Sequence, residues 1–430
     1  MSQSLAADTG GCSPLPARAA GSSTTASGNS HDPLERLAAV SDPDGAEPPL
    51  RSITASRPDS SKSKDRLTRV AIVAPSLRYV GGQSAQADLL LNHWRKDGGL
   101  EVRFIPHDPR FPSWLRWAEA IPYVRTVLRE PLYWAKLWSG LRDVDVVHIF
   151  SASYWSFLLA PFPAWVVARW RGKAALINYH SGEAEDHLKH GWTARAILRR
   201  VQCLVVPSPF LAKVFEQFGI KSQVVPNLVD EDQFKFRLRD PLRPVLVCAR
   251  GFHRYYSVDL VARAFGRVQQ AFPEARLILA GTGPAEREIR ALVESLKLKG
   301  VEFTGAVPRH QMGSLYDRAD IFINASWLDN MPMSVLEAFA SGIPVVSTGP
   351  EGIRYIVEHE RTGLLCDPGD WQSLGQNVIR LLQEPQLGSR LATAAYQECR
   401  KYRWECIREQ WLGVYRSLAG VSAARSAAHE

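Results

Sequence analysis

The stretch LDNMPMSVLEAFASGIPVVSTGPEGI, residues 328–353, contains a loop, a short apolar helix and a buried strand in succession. Pro332 would interrupt any helix that precedes it, and Gly342 is suited to end the helix that follows. The run at 344–347 has the length and composition of a buried parallel strand. The fold class therefore depends on how often this helix–strand pattern recurs along the chain.

The pattern recurs from Val70 onward, where short apolar runs alternate with amphipathic helical stretches. Such alternation predicts α/β architecture, with parallel sheets that carry helices on both faces. A Pro-containing connection at 226–244 divides the runs into two groups, so we predict two doubly wound domains that face each other across a cleft. The candidate strands are 70–74, 102–105, 144–149, 174–178, 203–206, 223–225, 245–249, 276–280, 301–304, 320–323, 344–347 and 363–366.

The predicted domains cover residues 69–228 and 229–403. Residues 1–68 are dominated by Ser, Ala, Pro, Gly and Asp and have almost no aromatic residue, which predicts a disordered tail. The last helical stretch, within 404–420, has no strand after it and is expected to cross back onto the first domain. Ligands of doubly wound sheets bind at the carboxyl ends of the strands, so the cleft is the expected site.

Charge and cysteine usage narrow the function class. The formal charge is +8, and residues 69–228 carry the excess, with 20 Lys and Arg against 12 Asp and Glu. This segment is expected to face an anionic partner. The six cysteines show no C-x-x-C pair and no zinc spacing, and three of them lie in apolar runs, which favours a reducing compartment. Because neither a signal-peptide core nor a spanning apolar run is evident, we predict a cytoplasmic protein.

Two carboxylates lie on either side of the start of the helix in the opening stretch, Asp329 and Glu337. Ser334 to Glu337 matches an S-x-x-E capping box, which accounts for Glu337 and leaves Asp329 unexplained. Alternatively, the N–H groups around Met333, Ser334 and Val335 bind a diphosphate at the helix N-terminus. The carboxylates would then accept hydrogen bonds from vicinal hydroxyls of a ribose or hexose.

Two glycine-containing loops follow predicted strands. Gly81 and Gly82 precede a helix that starts near Gln83, and Gly281 and Gly283 occupy the loop after 276–280. Glycine lets the backbone approach a ligand closely, and a tight turn is the alternative explanation for both loops. Neither matches the G-x-G-x-x-G of dinucleotide binders, which disfavours an NAD enzyme.

Three further polar residues follow strands. His180 comes directly after the run at 174–178 and is a candidate to hydrogen-bond a sugar hydroxyl or a developing charge; an ordinary loop histidine is the alternative. Arg250 and Arg254 lie in the loop after 245–249, where a guanidinium fork suits phosphate oxygens. A solvated basic loop is the alternative for the arginines.

Taken together, these motifs resemble those of a known family. The D-x(7)-E motif followed by AFASGIPVV resembles the E-x(7)-E motif of the retaining glycosyltransferases of family 4, which have the GT-B fold of two facing Rossmann-like domains. The resemblance covers roughly residues 69–420, and further motifs occur in the family's order. They are Gly81-Gly82, Asp145-Val-Val-His148, Val225-Pro226-Asn227, Arg250, Leu279–Pro284 and Arg361-Thr-Gly363.

The resemblance implies roles for the site residues. Glu337 would contact the ribose of the nucleotide, and Asp329 the transferred sugar. The amides of Met333, Ser334 and Val335 would hold sugar and phosphate, and His180 would face the donor sugar across the cleft. Residues 69–228 would form the acceptor domain and 229–403 the donor domain.

Two departures from the family pattern concern the donor site. Asp329 replaces the usual glutamate, which shortens the carboxylate arm by one methylene and can alter sugar preference. The family's phosphate-binding lysine is missing, because no lysine follows Arg250 before Lys297. Either Arg254 substitutes for it or Arg250 acts with the helix dipole alone.

The implied reaction is transfer of a sugar from a nucleotide-sugar donor to an acceptor hydroxyl, with retained configuration, in polysaccharide or glycolipid biosynthesis. No D-x-D metal motif is evident, so we predict no metal and no cofactor beyond the nucleotide sugar. The alternatives are a nucleotide-sugar epimerase of the same fold and a non-catalytic sugar-nucleotide-binding protein. Nucleic acid is not an expected partner, since the basic excess comes without a recognised nucleic-acid motif.

Residues 111–138 combine six Trp and Tyr with four interleaved Arg and Lys. Mixed aromatic and basic residues on helices suit an anionic membrane surface. The hypothesis is that this face docks peripherally on the inner membrane leaflet and receives a lipid-linked or nascent-polysaccharide acceptor. The alternative is that the aromatic side chains form the core beneath the helix and the charges a solvated rim.

Overall fold

The computed structural model describes residues 67–77 and 81–427. The tail predicted over 1–68 lies outside the described residues, except for Leu67 and Thr68. Both sheets described below belong to one compact unit that begins at Leu67.

The first sheet has six parallel strands in the order β2-β1-β3-β4-β5-β6. Within it, Ile72 of the first strand pairs with His148, which pairs in turn with Leu176. The strands are β1 (Arg69–Ala74), β2 (Glu101–Pro106), β3 (Val146–Ser151), β4 (Ala174–Tyr179), β5 (Cys203–Val206) and β6 (Gln223–Val224).

The second sheet repeats this plan, with six parallel strands in the order β12-β11-β10-β7-β8-β9. They are β7 (Val245–Ala249), β8 (Arg276–Ala280), β9 (Val301–Gly305), β10 (Ile321–Asn324), β11 (Val345–Thr348) and β12 (Leu364–Cys366). Each predicted strand is present in the two sheets, with ends displaced by at most two residues. The predicted α/β fold of two parallel sheets is therefore confirmed.

Helices cover both faces of each sheet because successive strand residues point to opposite faces. Ala71 and Val73 belong to one apolar core of the first sheet, whereas Val70 and Ile72 belong to the core on its other face. The second sheet likewise separates two cores. The result is a helix–sheet–helix sandwich around each sheet.

The helices associated with the first sheet are α1 (Gly82–Asp97), α2 (Pro122–Gly140), α3 (Tyr154–Leu159), α4 (Pro161–Trp170), α5 (Ala184–His190), α6 (Trp192–Leu198) and α7 (Pro209–Gln217). Those that follow in the chain are α8 (Val258–Ala271), α9 (Glu286–Ser295), α10 (Met312–Asp317), α11 (Met333–Ala340), α12 (Glu351–Arg354), α13 (Trp371–Gln383), α14 (Pro385–Cys399) and α15 (Trp404–Ala427). Short 3₁₀ turns occupy Ser113–Ala120, Glu231–Gln233, Arg254–Tyr256, Arg309–Gln311 and Arg400–Tyr402.

The helix ends show the local signals that set them. Ser208 caps α7 by accepting a hydrogen bond from the Leu211 amide at 3.2 Å, and Asp370 caps α13 in the same way. Gly98 ends α1 at φ +70°, and Gly342 follows α11 at φ +68°.

The last helix, α15, packs on the first sheet although it follows the second sheet in the chain. Ile407, Trp411 and Tyr415 lie in the same core as Val70 and Ile72. In the described part of the chain, no helix has the length and apolar character needed to cross a bilayer.

Strand order reverses between β1 and β3 in the first sheet and between β7 and β10 in the second. Ligands of open α/β sheets bind beyond the carboxyl ends of the strands at such reversal points. The segments that follow these four strands are therefore the ones from which a site would be built.

Candidate active site

A cavity of about 1150 Å³ is formed by loops at the carboxyl ends of both sheets. On the side of the first sheet, the walls come from segments within 81–88, 152–156 and 180–183. On the side of the second sheet, they come from segments within 249–256, 280–282, 306–312 and 328–337. All four strands at the reversal points supply part of the wall, so this cavity is the candidate ligand site.

Contacts between the two halves hold the start of α11 at the cavity. The Asn227 side-chain amide donates to the Met331 carbonyl oxygen at 2.8 Å. Arg309 donates to the carbonyl oxygen of Ala85, on α1, at 3.1 Å. The Met333 side chain packs against a core of the first sheet. Residues from both sheets consequently face one cavity.

Glu337, the fifth residue of α11, is a buried carboxylate that lines the cavity. The Tyr316 hydroxyl lies 3.1 Å from its Oε2 and can donate to it. Burial raises the pKa of Glu337, and the nearby Arg309 guanidinium opposes that rise. Pro332 is the N-cap residue of α11, and no side chain caps the helix. The capping-box interpretation of Glu337 is therefore wrong.

Arg250 and Asp329 form a buried ion pair in the cavity wall. Asp329 also accepts hydrogen bonds from the Ser326 hydroxyl at 3.3 Å and the Asn330 amide at 3.0 Å. The Arg250 guanidinium lies over the Tyr256 ring, 3.8 Å from its centroid. Burial raises the pKa of Asp329, and Arg250 opposes that rise. The sequence motifs did not predict that these two side chains contact each other.

The N-terminus of α11 reaches the cavity through Met333 and Ser334. The Ser334 hydroxyl accepts a hydrogen bond from Arg250 at 3.3 Å, so the guanidinium lies beside the helix start. Val335, by contrast, is fully buried in the apolar core, and its amide donates to the Pro332 carbonyl oxygen at 3.2 Å. Because that N–H already has an acceptor, the predicted donor-binding role of Val335 needs correction.

His180 follows β4 and lines the cavity from the side of the first sheet. Its ring stacks on Phe150 with the centroids 5.2 Å apart, and its backbone amide donates to the Ser151 carbonyl oxygen. Burial lowers the pKa of His180 to about 3, so the imidazole is neutral at physiological pH. Its Nε2 is buried without a hydrogen-bond partner in the described structure. A hydroxyl of a bound ligand could satisfy this atom.

The four predicted glycines have different surroundings. Gly81 and Gly82 line the cavity at the start of α1, and Gly281 also lines it. A Cβ at Gly281, where φ is +150°, would lie 2.0 Å from a carbonyl oxygen of the loop after β7, and one at Gly283 would lie 2.5 Å from another. Gly283 is therefore needed for packing between two loops and does not line the cavity, which corrects its predicted donor-binding role.

Arg254 does not reach the cavity. Its side chain is 85% exposed and forms an ion pair with Glu288 at 3.1 Å. The 3₁₀ turn that starts at Arg254 places Tyr256 in the cavity wall. The expectation that Arg254 supplies a second cation for phosphate is therefore corrected.

Arg309 lines the cavity instead, and the sequence analysis did not single it out. One of its nitrogens donates to Ala85, and Nη2 is buried with no hydrogen-bond partner in the described part of the chain. The available signal was its place shortly after β9, at the same carboxyl edge as the other site residues.

The charged groups that line the cavity are two guanidinium groups, Arg250 and Arg309, two buried carboxylates, Asp329 and Glu337, and two half-buried ones, Asp88 and Glu183. Within the described ranges, no group of three or more His, Cys, Asp or Glu side chains could hold a metal ion. The arrangement can bind an anion through the guanidinium groups and the start of α11, and it can accept hydrogen bonds from hydroxyls.

Two family models match adjoining parts of the chain. The model "Glycosyltransferase Family 4" matches residues 80–233, and the model "Glycosyl transferases group 1" matches residues 229–398. Together they include the cavity segments from both sheets.

Characterised relatives match about half of the chain. A sulfoquinovosyl transferase of Arabidopsis thaliana is 26% identical over 236 residues, which is 50% of this chain and 45% of that protein. A mannosylfructose-phosphate synthase of Agrobacterium fabrum is 27% identical over 243 residues, 51% of this chain and 53% of that protein. The chain thus spans about half the length of these relatives.

Among solved structures, the chain resembles the sucrose-phosphate synthase of Thermosynechococcus elongatus with a TM-score of 0.66 and 20% sequence identity. The match covers 82% of this chain and 100% of the other. At this identity the likeness concerns the fold, and it confirms the predicted GT-B architecture. With the two family models spanning residues 80–398 between them, the chain belongs to the group 1 glycosyltransferases.

Proposed function

We propose that the protein transfers a sugar from a nucleotide-sugar donor to a hydroxyl of a glycan or lipid-linked acceptor, in polysaccharide or glycolipid biosynthesis. The observation that carries the proposal is one cavity that combines an anion site with two buried carboxylates. A nucleotide sugar offers the complementary groups, namely a diphosphate and the hydroxyls of the ribose and the sugar. The membership of the chain in the glycosyltransferase group supports the same conclusion.

In this proposal the donor lies along α11. Glu337 accepts hydrogen bonds from the vicinal ribose hydroxyls, and the diphosphate lies between the Arg250 guanidinium and the start of α11 at Ser334. Asp329 and His180 contact the transferred sugar from opposite halves of the molecule. The ion pair with Asp329 keeps Arg250 directed toward Ser334, where the anion binds.

The reaction breaks the bond between the anomeric carbon and the diphosphate oxygen, which leaves with the electron pair. The acceptor oxygen bonds to the anomeric carbon on the same face, so the configuration is retained, and the acceptor proton passes to the leaving phosphate oxygen. Arg250 and the N-terminus of α11 stabilise the charge that develops on the diphosphate. Because guanidinium and backbone N–H groups supply this stabilisation, the proposal includes no metal ion and no resident cofactor.

Nucleotide binding tests the donor part of the proposal. Thermal unfolding is measured with UDP, GDP, ADP, CDP and their sugar conjugates, for the wild type, Glu337→Ala and Glu288→Ala. We expect one nucleotide to raise the Tm of the wild type and of Glu288→Ala, whose site lies outside the cavity wall, but not of Glu337→Ala. Absence of a shift with every nucleotide would contradict the proposal.

Product analysis separates transfer from epimerisation. The nucleotide sugar identified by thermal unfolding is incubated with the protein in the absence of any acceptor. A transferase leaves the sugar's stereochemistry unchanged, whereas an epimerase of the same fold accumulates a second nucleotide sugar. Accumulation of that product would overturn the assignment to sugar transfer.

A second part of the proposal places the protein peripherally at the cytoplasmic face of an anionic membrane. The inner face of α2 contributes Tyr133 and Leu137 to the core. Its outer face is apolar as well, with Tyr123, Val127 and Trp138 exposed by 88%, 69% and 51%. Some aromatic side chains of residues 111–138 therefore lie in the core, and others are exposed. The Arg171 guanidinium lies over the Trp138 ring, 4.0 Å from its centroid. An exposed apolar stripe beside a basic side chain suits the interface of an anionic bilayer.

Vesicle flotation tests this part. The wild type should float with vesicles that contain about a third phosphatidylglycerol and should float less with pure phosphatidylcholine. Combined replacement of Tyr123, Val127 and Trp138 by Ser should abolish flotation, whereas Leu238→Ser, an exposed apolar position of the other half, should not. No recovery of wild type on anionic vesicles would refute membrane docking.

A further inference from the structure

A second cavity, of about 480 Å³, opens at the carboxyl ends of β1 and β2. Leu77, which follows β1, lines both this cavity and the donor cavity described above. The second cavity therefore adjoins the cleft on the acceptor half, at the edge of the sheet occupied by β2. The roles proposed above for the donor cavity leave it unused.

Its walls combine an apolar surface with two cations. Leu77, Phe104 and Pro106 supply the apolar part, and Arg110 and Lys136 supply the charge. The two cations come from different elements, since Arg110 follows β2 and Lys136 belongs to α2. Two cationic side chains from separate segments beside an apolar wall suit a ligand that is both anionic and hydrophobic.

One acidic side chain, that of Asp108, also lines the cavity. Asp108 is buried, and its Oδ1 accepts a hydrogen bond from the Ser76 amide at 2.7 Å. This bond stabilises the carboxylate and directs one of its oxygens toward the backbone. With Arg110 and Lys136 against one carboxylate, the lining keeps a net positive charge of one.

Lys136 does not lie on the exposed stripe of α2, since a residue two positions before Trp138 is turned by about 200° from it around the helix. The cavity is connected to the donor cavity instead, because Leu77 lines both. A ligand bound between Arg110 and Lys136 can extend past Leu77 into the donor cavity.

We propose that this cavity binds the phosphate of an amphiphilic acceptor, a sugar linked to an alkyl chain through a phosphate or diphosphate, between Arg110 and Lys136. The first part of its chain contacts Leu77, Phe104 and Pro106. The inference rests on the proposed glycosyl transfer, since it assigns the acceptor of that reaction, but binding can be measured without turnover.

Calorimetric titration of the full-length protein with n-octyl phosphate, below its micelle-forming concentration, tests the proposal. The compared variants are Arg110→Gln/Lys136→Gln and the control Arg116→Gln/Arg125→Gln, whose positions are basic but do not line the cavity. We expect the first pair to weaken binding at least about tenfold, because each cation contributes a charge-assisted bond. The control pair should change it less than about twofold.

Two further ligands test whether the cavity recognises the phosphate of a lipid or free phosphate. Octanol should not bind detectably, and inorganic phosphate should bind at least about tenfold more weakly than octyl phosphate, because it lacks apolar contacts. Equal affinity for inorganic and octyl phosphate would overturn the lipid assignment. Equal losses in both variant pairs would overturn the assignment to this cavity.

The nucleotide-dependent Tm shift, measured on the same proteins, separates this inference from the proposed function. If Arg110→Gln/Lys136→Gln keeps the nucleotide-dependent Tm shift and loses octyl phosphate binding, the proposed function and the phosphate site are both supported. If no nucleotide shifts the wild type while octyl phosphate binding behaves as expected, the donor assignment fails and the phosphate site stands. If the wild type responds to nucleotide but does not bind octyl phosphate, the inference about the cavity is refuted.

Discussion

Glu337 is a single residue at which stability and ligand binding are opposed. Its carboxylate is buried beside Tyr316, and burial raises its pKa above the ordinary 4.5. An acid whose pKa is raised by folding destabilises the folded state once the pH exceeds that raised pKa. A buried charge kept in spite of this cost is typical of a binding site, where ligand hydroxyls replace the missing water.

Glu337→Gln should therefore stabilise the protein without ligand and impair binding. At pH 7 we expect a Tm about 1–2 °C higher, as a gain of roughly 1 kcal/mol gives in a chain of this size. Nucleotide affinity should fall at least about tenfold, because a hydrogen bond to a charged group is lost. Scanning calorimetry at pH 7 and pH 4 measures the Tm, and titration calorimetry at pH 7 measures the nucleotide affinity. The Tm difference should shrink at pH 4, where the wild-type carboxyl is mostly protonated, and a lower Tm for the variant at pH 7 would contradict the argument.

Arg309 and Arg254 form a matched pair of arginines with opposite surroundings. Arg309 lines the cavity and has a buried nitrogen without a partner in the described structure, whereas Arg254 extends into solvent. A buried guanidinium without its full set of acceptors favours an incoming anion, and an exposed one remains screened by water.

Arg309→Ala should weaken binding of the nucleoside diphosphate by about tenfold, and Arg254→Ala should change it less than about twofold. Isothermal titration with the diphosphate and the corresponding nucleoside provides the measurement. A larger loss for the diphosphate than for the nucleoside would show that Arg309 acts on the phosphates. Equal effects of the two variants would exclude a special role for Arg309.

The helix α15 influences the site through a series of stacked rings. The Trp411 ring lies 4.5 Å from that of His148, which stacks on Phe150 at 4.8 Å, and Phe150 stacks on His180 at 5.2 Å. His148 also hydrogen-bonds the Tyr415 hydroxyl at 2.7 Å. The orientation of His180 thus depends on how the last helix packs against the first sheet.

Tyr415→Phe tests this dependence. Removing the hydroxyl leaves the buried Nδ1 of His148 unpaired, which should lower the free energy of unfolding by about 1–3 kcal/mol. Tyr133→Phe is the matched control, because the Tyr133 hydroxyl is also buried and donates to the Ala160 carbonyl oxygen at 2.9 Å. Urea denaturation should show a loss in both variants. Turnover of the nucleotide sugar should decrease only in Tyr415→Phe, and equal turnover in both would argue against coupling through the rings.

For the molecule as a whole, buried histidines should make stability sensitive to acid. Burial lowers the pKa of His180 to about 3 and that of His187 to about 4, and it lowers the pKa of His148 as well. Between the unfolded value of about 6.5 and these lower values, the unfolded chain binds protons that the folded chain does not. The stability associated with the neutral rings is therefore present above about pH 6.5 and is lost as the pH falls. The raised pKa values of Asp329 and Glu337 act in the opposite direction at lower pH.

His180→Asn should reduce this acid sensitivity. One fully shifted histidine contributes up to about 1.4 kcal/mol per pH unit, so between pH 7 and pH 5 the variant should lose about 2 kcal/mol less stability than the wild type. Urea denaturation at both pH values measures the difference. His310→Asn, which replaces an exposed histidine, is the control. The same pH dependence in wild type and His180→Asn would show that His180 is not buried in its neutral form.

The strands and the location of the site follow from the sequence because both depend on local patterns. A strand buried on both faces is apolar along its whole length, so the runs at 245–249 and 276–280 coincide with β7 and β8. A residue that follows such a strand must lie at the carboxyl edge of the sheet. For this reason Gly81, Gly82, His180 and Asp329 were predicted at the cleft and do line the cavity.

Packing between distant segments determined which side chains face the cavity. Arg250 and Asp329 are 79 positions apart in the chain and form an ion pair only in the folded molecule. Arg309 contacts Ala85, 224 positions away, whereas Arg254 extends to solvent from the same loop that buries Arg250. Side-chain direction, burial and ion pairing depend on neighbours that the local pattern does not specify. They are properties of the tertiary structure, and they set the charge that a ligand meets in the cavity.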